Sequence, residues 1–437
     1  MKPHELFDSL RREGHEAVLL ESGGGGKEKW TFVGVVNSAV KVPLGEKGLL
    51  FMREFLRKNK REKKPSDPPF VGGFVGFLSY DFGSKWYGVG EKNKKKSLCP
   101  DVYFVYVDKV FAKCGLGDFS EHFSGSRASL MRRASPVSRD ERLQGGCVPL
   151  LRKISHNPHF AKISENLSKS EYLKKLARIK KYLFEGETYQ VNFSQSFEVP
   201  FSGDAFELYK KISDINPSPF QFFLETPRFA VISNSPERLF SIKNGIIETR
   251  PIKGTVPRGR NAREDAANIR KLLHSKKEAA ELAMIVDLER NDIGKICVPG
   301  TVEVAEKRTV EKYSHVIHTV ANVRGTLEKD RDWFDAFYAL FPGGSVTGCP
   351  KKRTIEIISE LEKEPRGLYC GSAGYIDLSG ECDFNIMIRT LWLEKNKKGN
   401  MLKFRSGGGI VVDSDPEKEY SETMNKIQAL TSAILSL

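Results

Sequence analysis

The 437-residue chain has few cysteines and no long apolar run, and these absences exclude several classes of protein. Its seven cysteines show no CxxC spacing, so neither a disulfide framework nor a structural zinc site is indicated. The HxxH pairs His156/His159 and His315/His318 lack a third ligand at metal spacing. No segment approaches the ~18 consecutive apolar residues of a membrane span, and the amphipathic N-terminal segment does not resemble a secretory signal. We therefore expect a cytoplasmic protein that does not enter the membrane.

Signals for nucleotide and nucleic-acid binding are also missing. Neither the P-loop spacing nor GxGxxG after a strand occurs. The net charge is +14, from 70 Lys and Arg against 56 Asp and Glu, and much of the excess lies at residues 57–64 and 91–96. These runs lack the interleaved aromatic residues of a nucleic-acid platform and are typical of solvated loops. The charge therefore predicts no nucleic-acid partner, and a basic surface would attract a small anionic substrate.

Three regions of the chain differ in composition. Residues 1–114 contain β-rich stretches separated by glycine-rich and basic connectors, which predicts a sheet with turns. Residues 115–166 have little periodicity, which predicts a linker or long loop. Residues 167–437 mix helices with strands, and the predicted strands include 229–233, 367–378, 383–393 and 403–412. Several of these neighbours lack a crossover helix, which favours an α+β fold with antiparallel sheets over a doubly wound parallel sheet.

The start of the third region carries a complete helix signal. Ser168 and Glu171 form a capping box, and Gly186 is placed to end the helix. Between them runs an apolar stripe at helical spacing, formed by Tyr172, Leu176, Ile179 and Leu183. We predict one amphipathic helix that buries this stripe.

Two further predicted helices, 275–294 and 416–435, carry charged residues on polar faces. These residues are Glu278, Glu281, Glu419, Glu422 and Lys426. Two separate carboxylates can hold one hard cation such as Mg²⁺, which fills its remaining sites with water and substrate oxygens. Glu422 and Lys426 also have the spacing of an ordinary surface ion pair, so spacing alone does not decide between the two interpretations.

Two glycine-rich stretches, 341–353 and 405–416, place backbone N–H groups and small side chains beside basic residues. Successive amides of this kind can wrap a carboxylate closely. Taken singly, each stretch is also compatible with a simple turn.

Together these segments resemble the chorismate-binding enzymes in order and approximate spacing. The matching motifs are NSPERLF, RPIKGTVPRG, ELAMIVDLERND, YSHVIHTVANVRG, PGGSVTGCPKKR, GLYCGSAGYI and SGGGIVVDSDPEKEYSETMNK. They cover about residues 168–437, which we interpret as the chorismate-binding catalytic domain. VLLESGGGGKEKW and GGFVGFLSYDFG extend the resemblance over residues 1–114, a region that the large subunits of anthranilate synthase and aminodeoxychorismate synthase share. Residues 115–166 fall outside it.

The resemblance implies a fold, a metal and a substrate. The fold is α+β, with two stacked, roughly orthogonal antiparallel sheets flanked by helices and the site between the sheets. Mg²⁺ is expected on Glu281 and Glu422, with Glu278 nearby, where it would bridge to the ring carboxylate of chorismate. Matching positions imply substrate contacts from Gly254, Thr255, Thr347, Gly348, Tyr369, Arg389, Gly407, Gly408, Gly409 and Lys426. Chorismate is a dianion, and cations, amides and a forked guanidinium suit it.

The resemblance also speaks to the reaction. Position 190 is glutamine, whereas relatives that use water have a lysine general base there, so ammonia is the expected nucleophile. Lys253 occupies the variable position of PIxGT, where anthranilate synthases typically have alanine and many aminodeoxychorismate synthases have lysine. This implies that the lysine amine adds to C2 of chorismate as the C4 hydroxyl leaves, after which ammonia attacks C4 and expels the lysine. On residue type alone, Lys253 would be a solvated lysine at a strand end.

Two further positions match catalytic residues of the family. Glu237 matches the general acid that protonates the departing hydroxyl, a task that requires a raised pKa. His318, rather than His315, matches the histidine near the C4 hydroxyl. The expected product is 4-amino-4-deoxychorismate, on the route to p-aminobenzoate and folate.

Partners and regulation follow from the same resemblance. No segment resembles a glutamine amidotransferase, so we expect a separate glutaminase subunit to supply ammonia, with free ammonium accepted in its absence. Ser22, Trp30, Phe32, Pro219 and Phe220 match the tryptophan pocket of the family. The LLES and NPSP segments of that pocket favour the alternative activity of anthranilate synthase, which makes anthranilate and pyruvate for tryptophan biosynthesis. A rival of another class, a catalytically silent basic interaction protein, would need broken metal or acid positions, and Glu237, Glu281 and Glu422 are all present.

Overall fold

The computed structural model of the chain describes residues 1–23, 29–90, 97–115, 117–123, 163–313 and 316–437. These residues form the helices α1 (Pro3–Arg12), α2 (Glu46–Lys58), α3 (Tyr80–Ser84), α4 (Lys169–Phe184), α5 (Ala205–Ile215), α6 (Ala262–His274), α7 (Lys276–Gly294), α8 (Trp333–Leu340), α9 (Lys351–Leu361) and α10 (Pro416–Leu435). Within the described ranges, no helix has the length and apolar character needed to cross a membrane.

The strands of the same residues are numbered in chain order. They are β1 (Ala17–Glu21), β2 (Trp30–Val36), β3 (Gly73–Leu78), β4 (Val102–Cys114), β5 (Ser120–Phe123), β6 (Ser164–Glu165), β7 (Gln190–Pro200), β8 (Phe220–Glu225), β9 (Phe229–Ser235) and β10 (Arg238–Lys243). The remainder are β11 (Ile246–Arg250), β12 (Ile252–Pro257), β13 (Glu303–Lys312), β14 (Val316–Thr326), β15 (Gly348–Cys349), β16 (Ser372–Asp377), β17 (Cys382–Asn385), β18 (Thr390–Glu394) and β19 (Met401–Ile410).

All pairings between these strands are antiparallel, and they connect 19 strands into one continuous arrangement. From β7 the order runs through β19, β18, β9, β8, β1, β2, β4, β3, β16, β17, β10 and β11 to β14, which also pairs with β12 and β13. Residues of β7, near one end of this order, share a buried core with residues of β10 and β14 near the other end. The predicted α+β fold with antiparallel sheets is confirmed, and the strands of the predicted sheets are hydrogen-bonded to one another.

The predicted helix signal at the start of the third region is confirmed in α4. The hydroxyl of Ser168 accepts a hydrogen bond from the backbone N–H of Glu171 at 3.3 Å, and the capping box is complete. The whole predicted stripe is buried, and Gly186 follows the helix with a φ of +77° that favours glycine. Local sequence therefore fixes both ends and the buried face of this helix.

Strands from residues 1–114 pair with strands from residues 167–437. The N-terminal strand β1 pairs with β8, and β3 pairs with β16. Within the predicted linker or long loop 115–166, Ser120–Phe123 extends the sheet on β4 and Ser164–Glu165 pairs with β7. A hairpin with β4 orders the first segment, and pairing with the more distant β7 orders the second, which their composition does not show. Residues 124–162, and with them His156 and His159, lie outside the described residues, as does His315.

Two predicted strands are shorter than expected. The predicted strand 383–393 is interrupted, since β17 ends at Asn385 and β18 begins at Thr390. Arg389 lies in the interruption with a φ of +51°, a left-handed conformation that a strand cannot continue through. The predicted strand 367–378 begins only at Ser372, after Cys370 with a φ of +62°. Arg389 consequently lies at a bend between β17 and β18.

A buried ion network fixes β7, β19 and α9 to one another. The Glu362 carboxylate accepts hydrogen bonds from Arg366 at 2.8 Å and from Arg405 at 2.9 Å, and these three side chains are at most 2% exposed. The Ser194 hydroxyl donates to the same carboxylate at 3.0 Å. Burial raises the pKa of Glu362, but the two guanidinium groups override this effect and hold it below its usual value. The network therefore depends on one carboxylate between two buried cations.

We predict that Glu362→Gln lowers the free energy of unfolding by about 3–5 kcal/mol, because it leaves two buried guanidinium groups without a carboxylate. Chemical denaturation of the purified protein measures this loss. Glu54→Gln is the matched control, since Glu54 pairs with Lys58 on the exposed face of α2 and should change stability little. Equal midpoints for the two variants would contradict the role given to the network.

Candidate active site

Lys253 lies near the start of β12 and points toward α7. Its side chain is 16% exposed, and its Nζ lies 3.1 Å from Oε2 of Glu281. The pairing of β12 with β14 shifts register between Lys253 and Thr255, where Gly254 has a φ of +79°. Such a bulge re-aims the side chains beside it. The alternative of a solvated strand-end lysine is therefore wrong for Lys253.

Gly409 supplies the space next to the Lys253 amine. A Cβ built on Gly409 would lie 3.2 Å from the Nζ of Lys253 and 3.3 Å from Nε2 of Gln190. Any side chain at this position would crowd both groups. The glycine of β19 thus allows an amine from β12 and an amide from β7 to share one pocket.

Three carboxylates predicted as metal ligands lie within electrostatic range of one another. Burial raises the pKa of Glu278, and the carboxylates of Glu281 and Glu422 raise it further. A Cβ on Gly254 would lie 3.3 Å from Oε2 of Glu278, so this carboxylate also borders the Lys253 pocket. Glu422 forms the ordinary ion pair with Lys426 at 2.8 Å that its spacing predicts. Glu422 therefore forms the surface ion pair with Lys426 and also lies within electrostatic range of Glu278.

This arrangement fits one hard cation but does not form a finished metal centre. Within the part of the chain that the structure describes, no three His, Cys, Asp or Glu side chains are arranged to hold a metal ion. Mg²⁺ requires only one or two carboxylates and takes its other oxygens from water and substrate. The mutual repulsion of Glu278, Glu281 and Glu422 would be relieved by a cation between them. The magnesium site stays a prediction.

Glu237 is buried at the end of the segment before β10, with 5% of its surface exposed. Burial raises the pKa of its carboxyl to about 7. The Ser345 hydroxyl, the backbone N–H of Ile252 and the Lys253 ammonium act in the opposite direction. The group is therefore near its midpoint at neutral pH, as a general acid requires.

His318 and Arg389 interact electrostatically. His318 is buried, and its Nδ1 is 2.8 Å from the Thr255 hydroxyl. Burial and the charge of Arg389 lower the pKa of His318 to about 4, so the imidazole is neutral at pH 7. Burial also lowers the pKa of Arg389, whose guanidinium forms no ion pair with any described residue. An anion is the missing partner of such a group.

Two other predicted substrate residues, Lys426 and Thr347, already hydrogen-bond to backbone carbonyls. Lys426 donates to the carbonyl of Gly407 at 3.0 Å, and a Cβ on Gly408 would lie 3.6 Å from Nζ of Lys426. The Thr347 hydroxyl is already used, because it donates to the Gly343 carbonyl at 2.7 Å.

Two of the predicted substrate residues, Gly348 and Tyr369, have no described contact with Lys253. Gly348 lies in the short strand β15, which pairs with Val191 and Gln190. Tyr369 is buried with its ring 5.8 Å from the Arg366 guanidinium, and no described hydrogen bond or ion pair connects it with Lys253. Glu419 also departs from the predicted polar face of its helix, since it is buried and accepts a hydrogen bond from Ser414 at 2.7 Å.

Sequence patterns did not single out Glu289. It is buried on α7 and accepts a hydrogen bond from the Thr249 hydroxyl. Burial raises the pKa of its carboxyl to about 8, and Glu237 raises it further against the effect of Thr249. Burial therefore favours the protonated form of Glu289, which adds no charge beside Glu237. Its helical spacing from Glu278 and Glu281, on the face that also buries Ile285, was a usable signal.

The five residues that match a tryptophan pocket line one cavity of about 560 Å³. The Ser22 hydroxyl donates to the Pro219 carbonyl at 3.0 Å, and the rings of Trp30 and Phe32 stack with centroids 5.9 Å apart. The predicted pocket residues thus come together, and the bound ligand stays a prediction.

Comparison with known proteins agrees with this arrangement. Residues 15–432 match the family described as chorismate binding enzyme. The chain is 35% identical to aminodeoxychorismate synthase component 1 of Bacillus subtilis (strain 168), over 98% of this chain and 94% of that protein. It is also 35% identical to anthranilate synthase component 1 of Aquifex aeolicus (strain VF5), over 99% and 92% of the two chains.

A solved structure extends the comparison to the fold. The crystal structure of anthranilate synthase component I from Streptococcus pneumoniae TIGR4 superposes with a TM-score of 0.71 at 28% identity, and the match covers 95% of this chain and 92% of that chain. The family match spans nearly the whole sequence and includes every predicted site residue. The chain therefore belongs to the family of chorismate-binding enzymes.

Proposed function

We propose that this chain aminates chorismate with ammonia, with Mg²⁺ bound, to give 4-amino-4-deoxychorismate. The observation that carries the proposal is the position of the Lys253 amine, which lies beside Glu281 and in the space left by Gly409. A mostly buried primary amine in a pocket that binds an electrophilic ring is suited to covalent catalysis. Aminodeoxychorismate synthase component 1 is among the similar proteins, which supports the choice.

Substrate binding follows from the charges of the pocket. Chorismate carries two carboxylates, and the guanidinium of Arg389 lacks an ion-pair partner among the described residues. Glu281 and Glu422, with Glu278 nearby, would hold Mg²⁺, which when bound supplies a positive charge for the ring carboxylate of chorismate. In the present arrangement Glu281 pairs with Lys253 and Glu422 pairs with Lys426. Engagement of Glu281 by a cation would weaken its pair with Lys253 and favour the neutral amine that attacks.

The first step would form the covalent adduct. The Lys253 nitrogen bonds to C2, the ring double bond shifts, and the C4–O bond breaks. Glu237 gives its proton to the departing oxygen, so that water leaves, and its carboxylate takes up the proton that the Lys253 nitrogen loses on forming the bond to C2. Neutral His318, held by Thr255 at 2.8 Å, is suited to orient the C4 hydroxyl without adding charge.

The second step would use ammonia. Its nitrogen bonds to C4, the double bond shifts back, and the bond between C2 and Lys253 breaks. Ammonia needs no general base for this attack, which agrees with a glutamine at position 190 where a lysine would serve water. We propose that a separate glutaminase subunit supplies the ammonia, and that free ammonium replaces it in the absence of that subunit.

The alternative activity is that of anthranilate synthase, with anthranilate and pyruvate as products. It is favoured by the cavity in which Ser22 and Pro219 meet, because LLES and NPSP resemble the anthranilate synthase pocket. Anthranilate synthase component 1 is also among the similar proteins at the same identity. We favour amination without pyruvate loss because Lys253 lies in the reaction pocket and the cavity residues do not.

Product analysis separates the two activities. Incubation of the purified chain with chorismate, Mg²⁺ and ammonium should yield 4-amino-4-deoxychorismate without pyruvate, as identified by chromatography and mass spectrometry. Fluorescent anthranilate with an equal amount of pyruvate would establish the alternative. Omission of Mg²⁺ by chelation should abolish either reaction.

Lys253→Ala should abolish both the covalent adduct and amination, because no other amine replaces the nucleophile. Mass spectrometry of the protein with chorismate and Mg²⁺, without ammonium, should detect chorismate minus water on the wild type only. Lys253→Arg keeps the charge and should fail equally, whereas Lys403→Ala on β19 removes a lysine paired with Glu394 and should behave as wild type. Unchanged amination in Lys253→Ala would refute a nucleophilic role.

The general acid gives a pH prediction. The carboxyl of Glu237 has a pKa raised to about 7 and must be protonated to act, so its contribution is present below this pH and lost above it. The rate of adduct formation without ammonium should be compared in wild type and Glu237→Gln. The ratio of the wild-type rate to the Glu237→Gln rate should fall as pH rises through about 7, because only the wild type loses a protonated acid at this position. A constant ratio would remove Glu237 from the proton transfer.

A further inference from the structure

The first half of β7 presents alternating polar side chains, Gln190, Asn192 and Ser194, to one face of the sheet. Ser194 donates to the Glu362 carboxylate. The other two are buried yet incompletely bonded. Within the described residues, both amide atoms of Gln190 and the amide oxygen of Asn192 have no hydrogen-bond partner. Buried polar atoms are rarely left this way, so each one requires an explanation.

Strand register places Asn192 beside the Lys253 amine. Asn192 lies directly opposite Gly409 in the pairing of β7 with β19. Side chains opposite each other in an antiparallel pair begin about 4.5–5.5 Å apart and project from the same face. The space in front of Gly409 is occupied by the Nζ of Lys253, at 3.2 Å from the Cβ position. The Asn192 amide therefore borders the same pocket.

The backbone of Asn192 is fixed on both sides. Its N–H donates to the Thr347 carbonyl at 2.7 Å, and its carbonyl accepts from the Arg366 guanidinium at 2.5 Å. Thr347 and Arg366 are both buried. The strand thus cannot rotate to give the side chain a partner elsewhere, and the unpartnered oxygen is held beside the pocket.

We propose that Asn192 binds the nitrogen nucleophile, and that its amide oxygen accepts a hydrogen bond from ammonia beside Lys253. This inference rests on the proposed function and adds a residue to it. Ammonia has three N–H groups and one lone pair, so two neutral amide acceptors, Asn192 and Gln190, can hold it while the lone pair faces C4. A neutral acceptor suits this task because it does not hold the nucleophile as ammonium.

The proton balance of the second step is consistent with this role. As the N–C4 bond forms, the nitrogen becomes a substituted ammonium, while the bond between C2 and the Lys253 nitrogen breaks with its electron pair. One proton passes from the new ammonium to the departing lysine nitrogen. The step needs no external acid, base or redox partner. An amide oxygen beside both nitrogens can hold the N–H groups throughout.

A purely structural asparagine is the competing explanation, and β7 contains a matched control for it. Gln195 is fully buried, and its amide oxygen also has no partner among the described residues. Its side chain faces the other way, where Nε2 donates to the sulfur of Met424 at 3.4 Å. Gln195→Leu therefore removes a comparable buried amide from the same strand without approaching Lys253.

The test compares Asn192→Leu, Asn192→Ala and Gln195→Leu in the full chain at fixed pH, with ammonium as the nitrogen source. Loss of one hydrogen bond to the nucleophile should raise the KM for ammonium about five- to tenfold in both Asn192 variants. The KM for chorismate and the rate of adduct formation without ammonium should stay within about twofold of wild type. Gln195→Leu should leave all three quantities near those of wild type.

Two results would overturn the role of Asn192. One is an unchanged KM for ammonium in both Asn192 variants. The other is a loss of adduct formation as large as the loss of turnover, which marks a structural residue. Failure of the proposed function is a separate result, since it shows in the wild type as a missing adduct or as anthranilate with pyruvate.

Discussion

The pairing of β7 with β19 is the constraint on which the candidate site depends. Ten residues of each strand stay in register from Val191 opposite Ile410 to Pro200 opposite Met401. Gly409 of β19 leaves the space that the Lys253 amine occupies, and the buried carboxylate of Glu362 holds the strand through Arg405. Because the two strands cannot slide, Gln190 and Asn192 of β7 stay on the face that borders that space. A slip of one residue would turn both side chains to the opposite face.

Charge in the pocket is balanced in pairs, and the exceptions indicate what the pocket lacks. Glu281 and Glu422 each have a lysine partner, whereas burial favours the protonated forms of Glu237 and Glu289. Arg389 alone among these groups is a cation with no described counter-ion. A substrate with two carboxylates, together with one divalent cation, would re-pair every one of these charges. A ligand that brings both signs of charge would therefore suit this site.

The sequence predicted what local spacing determines and missed what distant pairing determines. The capping box of α4 and the carboxylates of α7 follow from helical period alone, and the motif order identified the family. The turn at Arg389 and the bulge at Gly254 depend on conformations that residue type does not announce. Asn192 becomes notable only through its position opposite Gly409, more than 200 positions later in the chain. Such a juxtaposition has no local signature.

The conflict between the tryptophan-type segments and Lys253 has a physical resolution in β12. Successive residues of a strand point to opposite faces. Ile252 lines the cavity that contains Ser22 and Pro219, whereas Lys253 points to α7 and Glu281. One strand thus separates the cavity from the Lys253 amine. Substitutions that shape the cavity need not alter the position of the amine, so a cavity that resembles one enzyme type and the proposed nucleophile of another can exist in the same chain.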